Sequence, residues 1–154
     1  MYVKENGLYD IISTRLRIKR TILEEVEGIM FDLIHHIAII VSDYEKSKKF
    51  YVEQLELPII RENYRKDRND YKLDLKVGNI ELEIFGVENP PARVTQPEAC
   101  GLRHLAFKVE DIEEAVKWLN SKGIETEPIR MDEYTQKRMT FFRDPDNLPL
   151  EIHE

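Results

Sequence analysis

Two histidines and two glutamates stand out in this chain for their spacing. His36 and Glu83 lie 47 residues apart, and so do His104 and Glu151. Imidazole nitrogens and carboxylate oxygens together suit a borderline divalent ion such as Zn²⁺, Ni²⁺, Co²⁺, Mn²⁺ or Fe²⁺. Four protein ligands on one octahedral ion leave two adjacent positions for water or for neighbouring oxygens of a substrate. An ion held that way polarises a carbonyl and stabilises the charge left when a neighbouring C–H proton departs. One of the two glutamates, Glu83 or Glu151, would then loosen to act as general base, since no other carboxylate is an obvious proton acceptor. Either His–Glu pair taken alone has a plainer explanation, a rim histidine and a solvated strand-end glutamate. Two pairs at equal spacing do not, because a symmetric core has little use for two buried carboxylates unless a cation satisfies them.

The equal spacing belongs to a duplication. Shifted by 68 residues, the chain lays His36 on His104, Ala38 on Ala106, Val41 on Val109, Asp43 on Asp111, Glu45 on Glu113 and Lys49 on Lys117. These are six identities in the 16 positions from His36 to Tyr51, where average composition gives roughly one. The same shift lays Asn79-Ile80-Glu81-Leu82-Glu83-Ile84 on Asn147-Leu148-Pro149-Leu150-Glu151-Ile152.

Each copy reads as β-α-β-β-β. A first strand, 34–41 or 102–109, is rich in β-branched and aromatic residues. A helix follows, with Ser42-Asp43-Tyr44-Glu45 and Asp111-Ile112-Glu113-Glu114 offering a capping residue and a Glu three positions on. Phe50, Tyr51 and Leu55 form the apolar stripe expected of the first helix, and Ala115, Trp118 and Leu119 that of the second. Three strands close each copy: 57–64, 71–77 and 80–87, then 126–131, 137–143 and 148–153. Val77-Gly78-Asn79 and Asp144-Pro145-Asp146-Asn147 supply the turns. The modules span 33–87 and 101–153 within a domain of 30–154, joined by a linker at 88–100 carrying three prolines. Residues 1–29 stand outside the duplication, where Ile12, Leu16, Leu23 and Val26 recur at the interval of an amphipathic helix.

Several neighbours compete for the ligand roles. Glu81 shares a strand face with Glu83, but its counterpart is Pro149, which cannot ligate, so Glu83 is preferred. His35 is expected on the face opposite His36, and its counterpart is Arg103. His153 follows Glu151 on the same face and is read as a non-ligand. Arg103, Lys137 and Arg138, with Tyr134 nearby, are the candidates for clamping a carboxylate or phosphate of a substrate. Phe107, Phe142 and Trp118 read as core.

Composition limits the partners. The chain has 154 residues, 42% hydrophobic and 34% charged, as expected of one globular domain with a sizeable core. A formal net charge of −7 argues against a nucleic-acid backbone as partner. The longest apolar run, Ile37 to Val41, has strand length rather than bilayer length. No secretory signal pattern opens the chain and Cys100 is its single cysteine, so a reducing cytoplasmic location is expected.

Three stretches now define a resemblance: His36-Ile37-Ala38-Ile39-Ile40-Val41-Ser42-Asp43, Leu102-Arg103-His104-Leu105-Ala106-Phe107, and Phe141-Phe142-Arg143-Asp144-Pro145-Asp146-Asn147-Leu148-Pro149-Leu150-Glu151. Over residues 33–153 the chain resembles the vicinal oxygen chelate superfamily, which contains glyoxalase I, fosfomycin-resistance proteins, methylmalonyl-CoA epimerase and extradiol dioxygenases. Pro97 to His104 and Tyr134 to Arg138 look like a bacterial glyoxalase I-like (lactoylglutathione lyase-like) subgroup. The resemblance implies an α+β fold whose tandem βαβββ modules form a curved, partly open eight-stranded sheet around one divalent metal. It also implies a homodimer, with modules commonly paired across subunits. Glyoxalase I keeps a Glu at the position of Glu83, which favours a lyase or isomerase acting on a small 2-oxo or hemithioacetal substrate through a metal-bound enediolate, with nickel or zinc as expected metals. Glyoxalase I also has an Arg four residues after its first His and an Asn four residues after its first Glu, both binding glutathione. Here those positions are Ile40 and Val87, so the metal site matches and the cosubstrate site does not. Two alternatives stay open: a resistance-type protein that binds a metal or small molecule without chemistry, and an Fe(II) extradiol-type dioxygenase.

Overall fold

The computed structural model describes residues 30–154. The helix expected around Ile12 to Val26 lies outside the described residues. The chain divides after Ile34, and the unit His35–Glu154 carries everything that follows.

The first module consists of β1 (His36–Val41), α1 (Tyr44–Lys48), a π-helical turn (Lys49–Gln54), β2 (Ile59–Arg65), β3 (Asp70–Val77) and β4 (Ile80–Gly86). The second consists of β5 (Leu105–Lys108), α2 (Ile112–Ser121), β6 (Arg130–Met131), β7 (Arg138–Arg143) and β8 (Pro149–His153). The strand orders are β1-β4-β3-β2 and β5-β8-β7-β6, so the same mixed topology occurs twice. In each module the first strand runs parallel to the last, and the remaining pairs are antiparallel. The duplication is thus a duplication of structure. Within one chain, however, the eight strands form two separate four-stranded sheets rather than one continuous sheet. Among the described residues, β1 and β5 each pair on one side only and leave an edge without a partner strand.

Alternation along the strands divides each sheet into a core face and an open face. Val41, Leu73, Leu75, Leu82 and Ile84 of the first module and Ile112, Leu119, Leu150 and Ile152 of the second are buried in one hydrophobic cluster. The helices start where carboxylates cap them: Asp43 accepts from the Lys46 amide and Asp111 from the Glu114 amide, both at 3.0 Å. Ser42 takes no part in the cap. Its amide and hydroxyl both donate to Asp146 in the other module. Gly86 allows the helix to approach its sheet, since a Cβ there would lie 2.7 Å from Tyr44 Cβ. In α2 the stripe facing the sheet is Ile112, Ala115, Val116 and Leu119, at helical intervals. Trp118 lies off that stripe, 38% exposed beneath the Lys122 ammonium, and is a surface residue rather than core.

The Asp144–Asn147 turn joins the modules. Besides the Ser42 contacts, Tyr51 Oη donates to Asp144 Oδ2 at 2.9 Å, and Gln54 Nε2 reaches Lys122 O at 2.8 Å. Burial pushes the Asp144 carboxyl above the usual carboxylate range and the Tyr51 phenol above its own. This turn is longer than its counterpart Gly78–Asn79, with a consequence for register. Asp74 pairs with Glu83, whereas Phe141 pairs with Glu151, so β7 is slipped by one residue relative to the 68-residue repeat. Asp74 and Lys72 of the first module correspond in space to Phe141 and Met139 of the second.

Candidate metal centre

On the open face of the first module, β1 presents His36 and β4 presents Glu83. His36 Nε2 lies 3.9 Å from Glu83 Oε2. His35 precedes β1, so strand alternation does not carry it to the opposite face. Its Nδ1 lies 3.0 Å from His36 Nδ1, with the rings edge to face, and this fixes the imidazole whose Nε2 faces Glu83. The second oxygen of Glu83 accepts from Lys72 Nζ at 2.7 Å. Lys72 also lies 2.9 Å from Asp74 Oδ1, and the Arg61 guanidinium contacts Asp74 Oδ2. Asp74 is fully buried, and its ionic contacts lack aligned hydrogen-bond geometry, so the charges alone hold it there. Glu81 is bound by Arg61 at 2.6 Å.

The second module repeats the pair in a different setting. His104 immediately precedes β5, and its Nε2 lies 3.1 Å from Glu151 Oε2 in β8. Glu151 is buried, and Phe141 packs edge to face on the His104 ring at 5.4 Å. Among the described residues no cation equivalent to Lys72 approaches Glu151, because the one-residue slip places Met139 and Phe141 on that face. A cavity of about 580 Å³ opens there, lined by His104, Glu151, Phe141 and the arginines 93, 103, 130 and 143.

Each expected ligand therefore faces its partner in the same module, and each pair offers one imidazole nitrogen and one carboxylate oxygen, a donor set that fits a divalent metal. The two pairs do not converge within one chain. Among the described residues, the only cluster of three or more metal-type ligands within 4.8 Å of one another is Asp74, Glu81 and Glu83, already bound by Arg61 and Lys72. His153 is held by Thr135 Oγ1 and the Glu154 carbonyl.

The expected anion-binding residues separate. Arg103 lines the cavity and pairs with Glu98 at 2.8 Å. Lys137 is exposed and away from the cavity lining. Arg138 alternates with Met139 and so faces the helix side, where it pairs with Glu113 and Glu154. Its guanidinium holds the Glu154 carboxyl down at about 2. Arg130 and Arg143 were not singled out by sequence. The signal that finds them is register: Phe141 opposite Glu151 places Arg143 on the ligand face, and Met139 opposite Arg130 places that residue there too.

The chain belongs to the Glyoxalase/Bleomycin resistance protein/Dioxygenase superfamily, which residues 33–152 match. It is 60% identical over 122 residues to the uncharacterized protein YwkD of Bacillus subtilis, covering 79% of this chain and 95% of that one. The crystal structure of a glyoxalase family protein from Enterococcus faecalis, also 60% identical, superposes with a TM-score of 0.78 over 82% of this chain and all of that one. More distant relatives carry different chemistries. Lactoylglutathione lyase of Schizosaccharomyces pombe is 28% identical over 77% of this chain and 46% of its own length. Metallothiol transferase FosB of Staphylococcus saprophyticus is 28% identical over 80% of this chain and 78% of its own length. The superfamily includes many enzymes, and its members bind a divalent metal and small molecules and often dimerise. Among the described residues, no helix is long and apolar enough to cross a membrane.

Proposed function

We propose that this protein is a metal-dependent lyase or isomerase of glyoxalase I type, working in the cytoplasm on a small 2-oxo or hemithioacetal substrate. The observation that carries this reading is the doubled His–Glu pair, 3.9 Å apart in one module and 3.1 Å in the other, at equivalent strands of a fold whose family binds divalent metals. His36, Glu83, His104 and Glu151 would hold one ion, nickel or zinc, which when bound supplies Lewis acidity to the substrate's oxygens. Because the pairs do not meet within one chain, the reading calls for a homodimer in which His36 and Glu83 of one subunit face His104 and Glu151 of the other.

The two glutamates differ in their freedom. Glu83 is anchored by Lys72 at 2.7 Å and stays in place. Glu151 borders the cavity and, among the described residues, is ion-paired to His104 alone, so it takes the proton from the carbon beside the carbonyl. Phe141 and Met139 line the cavity beside that carboxylate and give it an apolar wall. Ile40, 61% exposed on the ligand face, and Val87 offer no polar contact to a glutathione peptide, so the thiol partner is a different one.

A screen of the metal-replete protein on methylglyoxal with several thiols tests this. Turnover is expected with a thiol other than glutathione, and Glu151→Gln should lower kcat by about 10²-fold or more. With glutathione, kcat/KM should fall below the ordinary enzymic range of roughly 10⁴–10⁸ M⁻¹s⁻¹. Tight small-molecule binding with no turnover under any thiol would replace this reading with a resistance-type binding protein.

A further inference from the structure

The two open faces treat their cations differently. In the first module three cations of that face are committed to buried or half-buried carboxylates: Arg65 binds Asp70 through two contacts, Arg61 binds Asp74 and Glu81, and Lys72 binds Asp74 and Glu83. In the second module, Arg130 and Arg143 share the single carboxylate of Glu127, through long contacts of 3.2 and 3.4 Å. Glu127 is 38% exposed, so these pairs are solvated and readily exchanged. Asp132, the next carboxylate of the cavity wall, is saturated by the amides of Tyr134 and Thr135 and the Thr135 hydroxyl. Two guanidiniums facing one loosely held carboxylate keep most of their N–H donors unsaturated by protein carboxylates. The guanidiniums lie beside the His104–Glu151 pair, because Arg130 stacks over Phe141 at 5.2 Å and the same ring meets His104 edge to face at 5.4 Å.

We propose that Arg130 and Arg143 form an anion-binding subsite, and that the substrate carries a carboxylate or phosphate-type group next to the oxygens that approach the metal. A guanidinium pair suits such a group because its donors match two oxygens of a planar or tetrahedral anion. Phe141 fixes the Arg130 plane and supplies an apolar wall against which the substrate's carbon skeleton rests. Glu127 holds the pair in place when no anion is bound, and swings toward solvent when one is. This specificity rests on the proposed metal centre only for where the carbonyl goes. The anion subsite itself is built entirely from β6, β7 and the segment before them.

The test uses the full chain and calorimetric titration with three probes: pyruvate, which has a carboxylate beside a carbonyl; inorganic phosphate; and diacetyl, a neutral vicinal dione. In the metal-loaded protein, Arg130→Gln and Arg143→Gln should each weaken binding of pyruvate, phosphate or both by tenfold or more, leaving diacetyl binding and metal content unchanged. A response confined to pyruvate assigns a carboxylate substrate, and one confined to phosphate assigns a phosphate or phosphonate. Phosphate titration of the chelated protein separates the two readings. If the wild type holds no metal, the metal centre fails, while loss of phosphate binding in Arg130→Gln still supports the subsite. Equal affinity of wild type and both variants for pyruvate and phosphate, or diacetyl binding as tightly as pyruvate, overturns the proposal.

Discussion

Lys72 shows how much of the candidate centre depends on residues outside the four ligands. Its ammonium bridges the buried Asp74 and the candidate ligand Glu83, at 2.9 and 2.7 Å. Removing it leaves Asp74 with Arg61 alone, and a buried carboxylate short of a partner is costly. Lys72→Met should lower unfolding stability by up to about 3 kcal/mol in a denaturant titration. Lys117→Met, which breaks only an exposed pair with Glu114, should leave the midpoint where it is. The two His–Glu pairs are legible in sequence because the duplication repeats them at one spacing. Lys72, Asp74, Arg130 and Arg143 are not, because their place on the ligand face depends on register. The shift that aligns His36 with His104 misaligns β3 with β7 by one residue, and one residue turns a strand's side chains to the other face. The same pleat puts Arg138, attractive in sequence, on the helix side.

The strands and helices were readable from alternation, capping and turn residues, and their bounds differ from expectation by a few residues. The largest difference is β6, only Arg130–Met131 where 126–131 was expected. There the Glu127 amide donates to the Phe141 carbonyl and the Thr140 hydroxyl to the Glu127 carbonyl, isolated contacts instead of a ladder. The first helix also tightens and then widens, from α at Tyr44–Lys48 to π at Lys49–Gln54, which sequence periodicity does not resolve. What positions β4 against this helix is the absence of a side chain at Gly86. A methyl group there meets Tyr44 Cβ at 2.7 Å, an atom too near the backbone to swing away. Gly86→Ala should therefore destabilise the fold by about 1–3 kcal/mol through overpacking, read as a lowered melting temperature. Gly78→Ala offers a different case, since open space surrounds that Cβ and only its φ of +53° resists substitution.

At the scale of the molecule, the sequence indicated two modules and the family fold, and it could not show whether the modules of one chain share a sheet. The turn at Asp144–Asn147 decides how they meet. Tyr51 and Ser42 grip it, and no counterpart in the first module's Gly78–Asn79 turn offers a carboxylate to grip. The modules thus associate through helix and turn, and the sheet edges at β1 and β5, beside the two histidines, remain without a strand partner in the chain. An unpaired edge beside half of the proposed ligand set is what a second subunit would complete. The measurement that addresses this most directly is metal content per chain after chelation, reconstitution and gel filtration. We expect about one ion per chain in the wild type and little in His36→Ala or His104→Ala alone. Mixing the two variants under conditions of proven subunit exchange should then recover up to half of the sites in each mixed dimer, because both lesions fall in one shared site and leave the other whole. Two ions per chain, or one ion retained by either variant alone, would mean that each His–Glu pair acts by itself and would contradict the four-ligand centre.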